Sequence, residues 1–149
     1  MDAYKLYLKS RRHYLKGNIF RAKLFMKINQ LIHNSYIPFT SQIGENSKFA
    51  YGCIGVVLHS KTKIGKNCTI GQCCTIGGRT GHGGPPIIGD NVYIGPGARL
   101  LGGFRVGNNV VIGANAVVIS DVPDNCVVAG VPAKIIKRDV SKYKEENII

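Results

Sequence analysis

From Ile88 to Pro123 an aliphatic residue returns at every sixth position: Ile88, Ile94, Leu100, Val106, Ile112 and Val118. Four of the six are followed by Gly, and the fifth place of each unit usually holds a small or apolar residue, such as Val92, Ala98 and Ala116. This return matches neither the helical period nor the alternation of an ordinary strand. It is the period of a parallel β-helix, in which each short strand forms one flat face of a coil before the chain turns. The aliphatic side chain then points at the coil axis and the Gly allows the tight turn. Stacked coils pair every strand with those above and below, so short strands satisfy their backbone and share one aliphatic core.

The same register runs back through Ile76, Ile70, Ile64 and Leu58, and the repeat begins at Ile43 before slipping by three residues. Between Ile76 and Ile88 the stretch Gly77 to Ile87 fills two repeat lengths without repeat character. Its five glycines and two prolines predict a loop that leaves the coil wall and returns in phase. Loops on a rigid scaffold are where binding groups are expected.

Residues 1 to 35 lack the six-residue period and read as two helices. Tyr4, Tyr7, Leu8 and Leu15 form one face of the first. Gly17-Asn18 interrupts it, and Asn18 is placed to cap a second helix presenting Ile19, Leu24, Phe25, Ile28, Leu31 and Ile32. The pattern therefore predicts a mainly β fold in three parts: an N-terminal helical cap (1–38), a β-helix domain (39–138) with loop 77–87 extruded, and a polar tail (139–149), either a short helix or frayed.

Charge adds a partner class. The chain of 149 residues carries 20 Lys and Arg against 8 Asp and Glu, a formal net charge of +12, which favours an anionic partner. Eight of the basic residues fall in the first 40 positions, with Asp2 the one acid there. Two readings of this segment stand open: a cap packing over the coil end or a neighbouring subunit, or a basic amphipathic surface resting on an anionic membrane. No basic strand carries interleaved aromatic residues, which argues against single-stranded nucleic acid. The five cysteines form no CxxC pair and fall mostly at repeat positions, so they read as buried free thiols in a reducing compartment. No leader and no apolar run long enough to span a bilayer is recognisable, which gives a cytoplasmic expectation.

His13 and His33 lie in the helical segment and suit surface or packing roles, whereas His59 follows Leu58 where most repeats place Gly. Its imidazole is expected at a coil corner, outside the core. The run Gly52-Cys53-Ile54-Gly55-Val56-Val57-Leu58-His59-Ser60 is followed by Cys68-Thr69-Ile70-Gly71-Gln72-Cys73-Cys74-Thr75-Ile76-Gly77-Gly78, the Gly-rich loop, and Pro85-Pro86-Ile87-Ile88-Gly89-Asp90-Asn91-Val92-Tyr93-Ile94-Gly95-Pro96-Gly97-Ala98. With Ala129-Gly130-Val131-Pro132-Ala133-Lys134-Ile135-Ile136 near the end, this ordered set resembles the hexapeptide-repeat acyltransferases, specifically serine acetyltransferases and their shorter polysaccharide-modifying relatives. The resemblance covers residues 43 to 138.

The resemblance implies a left-handed β-helix, a homotrimer, and acetyl-CoA as acyl donor without a metal. It assigns His59 as general base, taking the proton of an acceptor hydroxyl as the oxygen attacks the thioester. Backbone N–H groups of Gly77 and Gly78 are candidates for holding the oxyanion. The cofactor groove is expected along Gly78, Pro96, Ala114 and Val131, with Lys134, Lys137 and Arg138 near the phosphates. The γ-type carbonic anhydrases share the fold but need three histidines on one zinc, and the repeat region offers only His59 and His82.

Three departures from the serine acetyltransferase pattern bear on the acceptor. The Asp that orients the catalytic His in that family falls on or near Gln42, with Glu45 the nearest acid. The Arg-His pair that grips the amino-acid substrate aligns with Gly84-Pro85, with Arg79 and His82 as nearby substitutes. The N-terminal helical domain is reduced to about 35 residues. Together these favour an O-acetyltransferase acting on a saccharide hydroxyl of a capsule, O-antigen or exopolysaccharide precursor, with serine O-acetyltransferase of cysteine biosynthesis as the alternative.

Overall fold

The computed structural model describes residues 2–140. Two helices open the chain, α1 (Ala3–Leu15) and α2 (Ile19–His33). Both start on side-chain caps: Asp2 accepts from the Tyr4 and Lys5 amides, and Asn18 accepts from the Arg21 amide at 3.1 Å. No helix among the described residues is long and apolar enough to cross a membrane.

The β-helix follows. Strands β1 (Gln42–Ile43), β2 (Lys48–Phe49) and β3 (Val57–Leu58) make the first coil, and β4 (Lys63–Ile64), β5 (Thr69–Ile70) and β6 (Thr75–Gly77) the second. Strands β7 (Ile87–Ile88), β8 (Tyr93–Ile94) and β9 (Arg99–Leu101) make the third, and β10 (Arg105–Val106), β11 (Val111–Ile112) and β12 (Val117–Val118) the fourth. An antiparallel pair, β13 (Val127–Gly130) and β14 (Ala133–Lys137), closes the end. Like faces stack into three sheets: β1-β4-β7-β10, β2-β5-β8-β11-β13-β14, and β3-β6-β9-β12, called here the first, second and third sheets.

The six-residue return becomes three interior columns. In the third sheet, Leu58 pairs with Ile76, Ile76 with Leu100 and Leu100 with Val118; Ile64 and Ile88 lie in the first, and Ile70, Ile94 and Ile112 in the second. These side chains are buried, as are the fifth-place residues Cys68, Cys74, Val92, Ala98, Val110 and Ala116. Each large aliphatic removed from water contributes about 1.5–3 kcal/mol, which is how two-residue strands build a stable core. The repeat glycines work by closeness: a Cβ on Gly95 would lie 2.6 Å from the Ala114 nitrogen of the next coil. Corner asparagines, among them Asn67, Asn91 and Asn109, take the left-handed conformation at φ near 55° that Asn accepts more readily than most residues.

The three-residue slip after Phe49 is absorbed by a 3-10 segment, Ala50–Cys53, in which Tyr51, Gly52 and Cys53 all have positive φ. The loop after β6 returns in register, with Ile64 opposite Ile88. It folds back against the next coil: Gly103 donates its N–H to the His82 carbonyl at 2.6 Å.

The helical faces differ from the sequence expectation. On α1 the buried residues are Ala3, Leu6, Tyr7 and Ser10, while Leu8 and Leu15 are exposed. Polar contacts set this rotation: the Tyr7 hydroxyl donates to the Ser41 carbonyl at 2.7 Å, and the Ser10 hydroxyl donates to the Ala22 carbonyl at 2.6 Å. On α2 only Ala22 and Asn29 are buried, and Ile19, Phe20, Leu24, Leu31 and Ile32 face outward. Asn29 is drawn inward because its amide donates to the Ala3 carbonyl at 3.0 Å. The expected tail, 139–149, lies outside the described residues except for Asp139 and Val140; Val140 is buried with Val111 and Val127 on the outer side of the second sheet.

Candidate active site

His59 leaves the third sheet immediately after β3. Since Leu58 is registered on Ile76 and Ile76 on Leu100, the next positions, His59, Gly77 and Leu101, form one column at the corner leading from the third sheet to the first. The backbone fixes it: His59 donates its N–H to the Ile76 carbonyl at 2.9 Å, and Gly102 donates to the Gly77 carbonyl at 3.0 Å. The imidazole is exposed at the coil corner, as the displaced Gly implies. Its Nδ1 accepts the Lys61 amide proton at 3.1 Å, so in the neutral ring the proton sits on Nε2.

Gly77 and Gly78 differ in what they offer. Gly77 is bound into the ladder opposite Leu101, whereas Gly78 lies past the end of β6 and is exposed. Gly78 is therefore the amide with room for an incoming oxygen. Arg79 and His82 join this edge through the loop. Their Cβ atoms stand 3.6 Å from where a side chain on Gly102 would begin, and Gly102 has φ +114. The His82 amide closes the turn on the Arg79 carbonyl at 2.9 Å, and its Nδ1 lies 3.0 Å from the Thr80 carbonyl.

The expected cofactor residues divide between two edges. Pro96 and Ala114 stack at the corner between the second and third sheets, where Asn115 donates its N–H to the Pro96 carbonyl at 2.8 Å. Val131 extends the column beyond β13 and is 72 % exposed. Lys134 and Lys137 stand on β14 opposite Ala129 and Val127, and with Arg138 they are exposed. This column is open and small-sided, with cations at its end, and so suits a slender chain ending in phosphates. Gly77 and Gly78 belong to the opposite edge of the third sheet, with His59.

Glu45 is a correction. It lies at the corner between the first and second sheets, exposed, 3.8 Å from the Lys66 ammonium, and its carbonyl accepts from Asn67. Within the chain it does not share an edge with His59, because the residues between them carry the chain along two faces, β2 in the second sheet and β3 in the third. Among the described residues no group of three or more His, Cys, Asp or Glu stands together.

Sequence reasoning passed over two parts of this edge. One is Gly102-Gly103, the seat of the loop; the doubled Gly at the place matching Gly78 was its signal. The other is a cavity of about 460 Å³ lined by Lys23, Lys27, Tyr36, Phe39, Thr40 and Ser60, beside His59 in the chain and reached by α2. Nothing in the local pattern brings α2 there.

This fold and edge define a left-handed parallel β-helix of the transferase class. The family model described as bacterial transferase hexapeptide (six repeats) matches residues 85–120. The chain is 37% identical over 128 residues to a serine acetyltransferase of Staphylococcus xylosus, covering 85% of this chain and 59% of that protein. Serine acetyltransferase from Brucella abortus, solved with coenzyme A, superposes with a TM-score of 0.86 at 29% identity, covering 92% of this chain and 55% of that one. The Neisseria gonorrhoeae enzyme, solved with serine, gives a TM-score of 0.82 at 34% identity, covering 89% and 54%. The chain belongs to the hexapeptide-repeat acyltransferases and is similar to serine acetyltransferases among them. It spans about three-fifths of the length of the curated relatives it matches.

These relatives overturn the saccharide acceptor expected from the sequence. That expectation rested on Gln42 standing near the place of the family's His-orienting Asp, on Gly84-Pro85 standing in place of its Arg-His pair, and on an N-terminal helical segment of about 35 residues. Yet the curated relatives are named serine acetyltransferases, and a neighbour at 34% identity was solved with serine.

Proposed function

We propose that the chain is the β-helix part of a serine O-acetyltransferase, with acetyl-CoA as donor and L-serine as acceptor. The observation that carries this reading is the His59–Gly77 column with exposed Gly78, in a chain 37% identical to a serine acetyltransferase. Acetyl-CoA supplies the thioester carbonyl. His59 takes the proton of the serine hydroxyl as its oxygen attacks, which turns a weak nucleophile into a competent one at neutral pH. The exposed Gly78 amide is the candidate donor for the negative charge that develops on the carbonyl oxygen, since a positioned backbone donor there lowers the barrier. Lys134, Lys137 and Arg138 hold the phosphates at the closed end of the second sheet.

A homotrimer goes with this reading. Within one chain the His59 edge and the Pro96–Ala114–Val131 edge border opposite sides of the third sheet, so a copy packed beside that sheet supplies the missing edge. Tyr36 and Val57, apolar residues about two-fifths exposed on that sheet, favour such packing. A cytoplasmic setting suits the buried free thiols.

A thiol-release assay with acetyl-CoA and L-serine tests the proposal. Serine-dependent release of CoA with formation of O-acetylserine is expected. Binding of acetyl-CoA without release in the presence of L-serine would overturn it.

A further inference from the structure

Both helices carry a second face that the coil does not use. On α1 the coil side is Tyr4, Tyr7, Arg11 and Tyr14. The hydroxyls of Tyr4 and Tyr7 donate to the Gly44 and Ser41 carbonyls, the Arg11 guanidinium donates to the Phe39 carbonyl at 3.0 Å, and the Tyr14 ring centroid lies 5.0 Å from that of Phe39. Ala3 and Tyr7 join the aliphatic core, so α1 caps the open end of the coil. The opposite stripe, at the spacing of successive helical turns, is Lys5, Lys9, Arg12 and Lys16, all exposed.

The second helix is divided in the same way. Ala22 and Asn29 face α1, and Lys23, Met26 and Lys27 line the cavity toward Tyr36 and Phe39. That leaves Arg21, Phe25, Ile28 and Ile32, again one stripe, on the side turned away from the coil, with Arg21 and Ile32 exposed. The two stripes adjoin: the Lys9 Nζ stands 6.0 Å from the Phe25 ring centroid, and the His13 ring stacks on the same ring at 5.4 Å. Five cations thus border an apolar row at one end of the molecule.

None of the five has a carboxylate partner among the described residues, and Asp2, the one acid of the first 40 positions, is engaged as the cap of α1. A second copy docked face to face would set five cations against five with no acid between them. Nucleic acid would match the charge but offers no apolar layer for Phe25, Ile28 and Ile32. A lipid surface with anionic headgroups supplies both, the headgroups for the cations and the acyl boundary for the apolar row.

We infer that this outer face of α1 and α2 is a docking site for an anionic membrane surface, on which the helices lie without crossing it. The inner face caps the coil and the outer face meets the lipid, so both roles open to this segment belong to one helical pair.

The test is flotation of the full chain with vesicles of phosphatidylglycerol and phosphatidylcholine in equal parts, beside vesicles of phosphatidylcholine alone, at low and high salt. Binding is expected to the anionic vesicles only, and to weaken as salt screens it. The combined variant Lys5→Gln, Lys9→Gln, Arg12→Gln, Lys16→Gln should weaken it on the order of 100-fold, and Ile32→Ser about tenfold. Lys5→Arg, Lys9→Arg and Lys16→Arg together should keep it, and circular dichroism checks that each protein is folded. Absence of wild-type binding, equal binding to neutral vesicles, or undiminished binding by the folded Gln variant would sink the assignment. So would sedimentation without lipid showing an assembly that Ile32→Ser breaks apart, which would give the face to a second copy.

Discussion

The Nδ1 of His59 accepts the backbone N–H of Lys61 at 3.1 Å. A neutral imidazole has one nitrogen that accepts and one that carries the proton, so this contact selects the Nε2–H form. In that form the accepting nitrogen is already engaged with the chain's own turn. Taking a proton from serine at Nε2 therefore requires the ring to exchange tautomers and release Lys61. Nitrogen chemical shifts of His59 in the free protein are expected to report a protonated Nε2, changing when both substrates bind. A protonated Nδ1 in the free protein would contradict the arrangement.

Replacing His59 by Ala is expected to lower kcat by about 10²–10⁴-fold, the range for loss of a positioned general base. The fold should survive, because the ring is exposed and its backbone bonds are retained. Thiol release and circular dichroism, measured on the same preparation, check both halves. Unchanged turnover would remove His59 from the reaction.

Thiol accessibility separates core from surface. Cys73 is exposed, while Cys53, Cys68, Cys74 and Cys126 are buried. One thiol of the native protein should react quickly with an aromatic disulfide reagent, and the other four only on unfolding.

Burial pushes the Cys53 thiol up from about 9 to about 12, and raises Cys68 and Cys74 in the same direction. The folded state keeps protons that the unfolded chain gives up near pH 9. Stability is therefore full below pH 9 and falls as pH rises toward 12, by up to about 1.4 kcal/mol per pH unit for Cys53 alone. Denaturant midpoints at pH 8 and pH 10.5 measure this, and Cys53→Ala should shrink the difference between them.

Coil closeness can be tested with alanine. Gly95→Ala puts a methyl against the backbone of Ile112 to Ala114 and should cost about 1–3 kcal/mol, whereas Gly84→Ala meets nothing within 4 Å and should be close to neutral. Ile94→Ala, opening the buried column, should cost about 2–5 kcal/mol. Equal midpoints for Gly95→Ala and Gly84→Ala would contradict the packing.

Part of the site was legible and part was not. His59 stood out because a ring replaced a turn Gly in a strict repeat, and its column with Gly77 follows from counting. The faces of α1 and α2 were misread because apolar spacing alone ignores the hydroxyl of Tyr7 and the amide of Asn29, which turn the helices. Glu45 was misread because nearness along a β-helix chain does not mean nearness in space; each six residues moves the chain to another face. The acceptor was misread because the roles of Gln42 and Gly84-Pro85 were tied to motif positions.

The sequence by itself determined the coil, its register and its core, since a six-residue period is local information and each interior column repeats it. Tertiary structure decided what meets at the corners. Gly103 meets His82 across 21 residues and His59 meets Ile76 across 17, through a loop and a ladder whose course depends on the assembled coils. Corner side chains point away from the repeating core, so the pattern that specifies the scaffold carries no record of which of them share an edge.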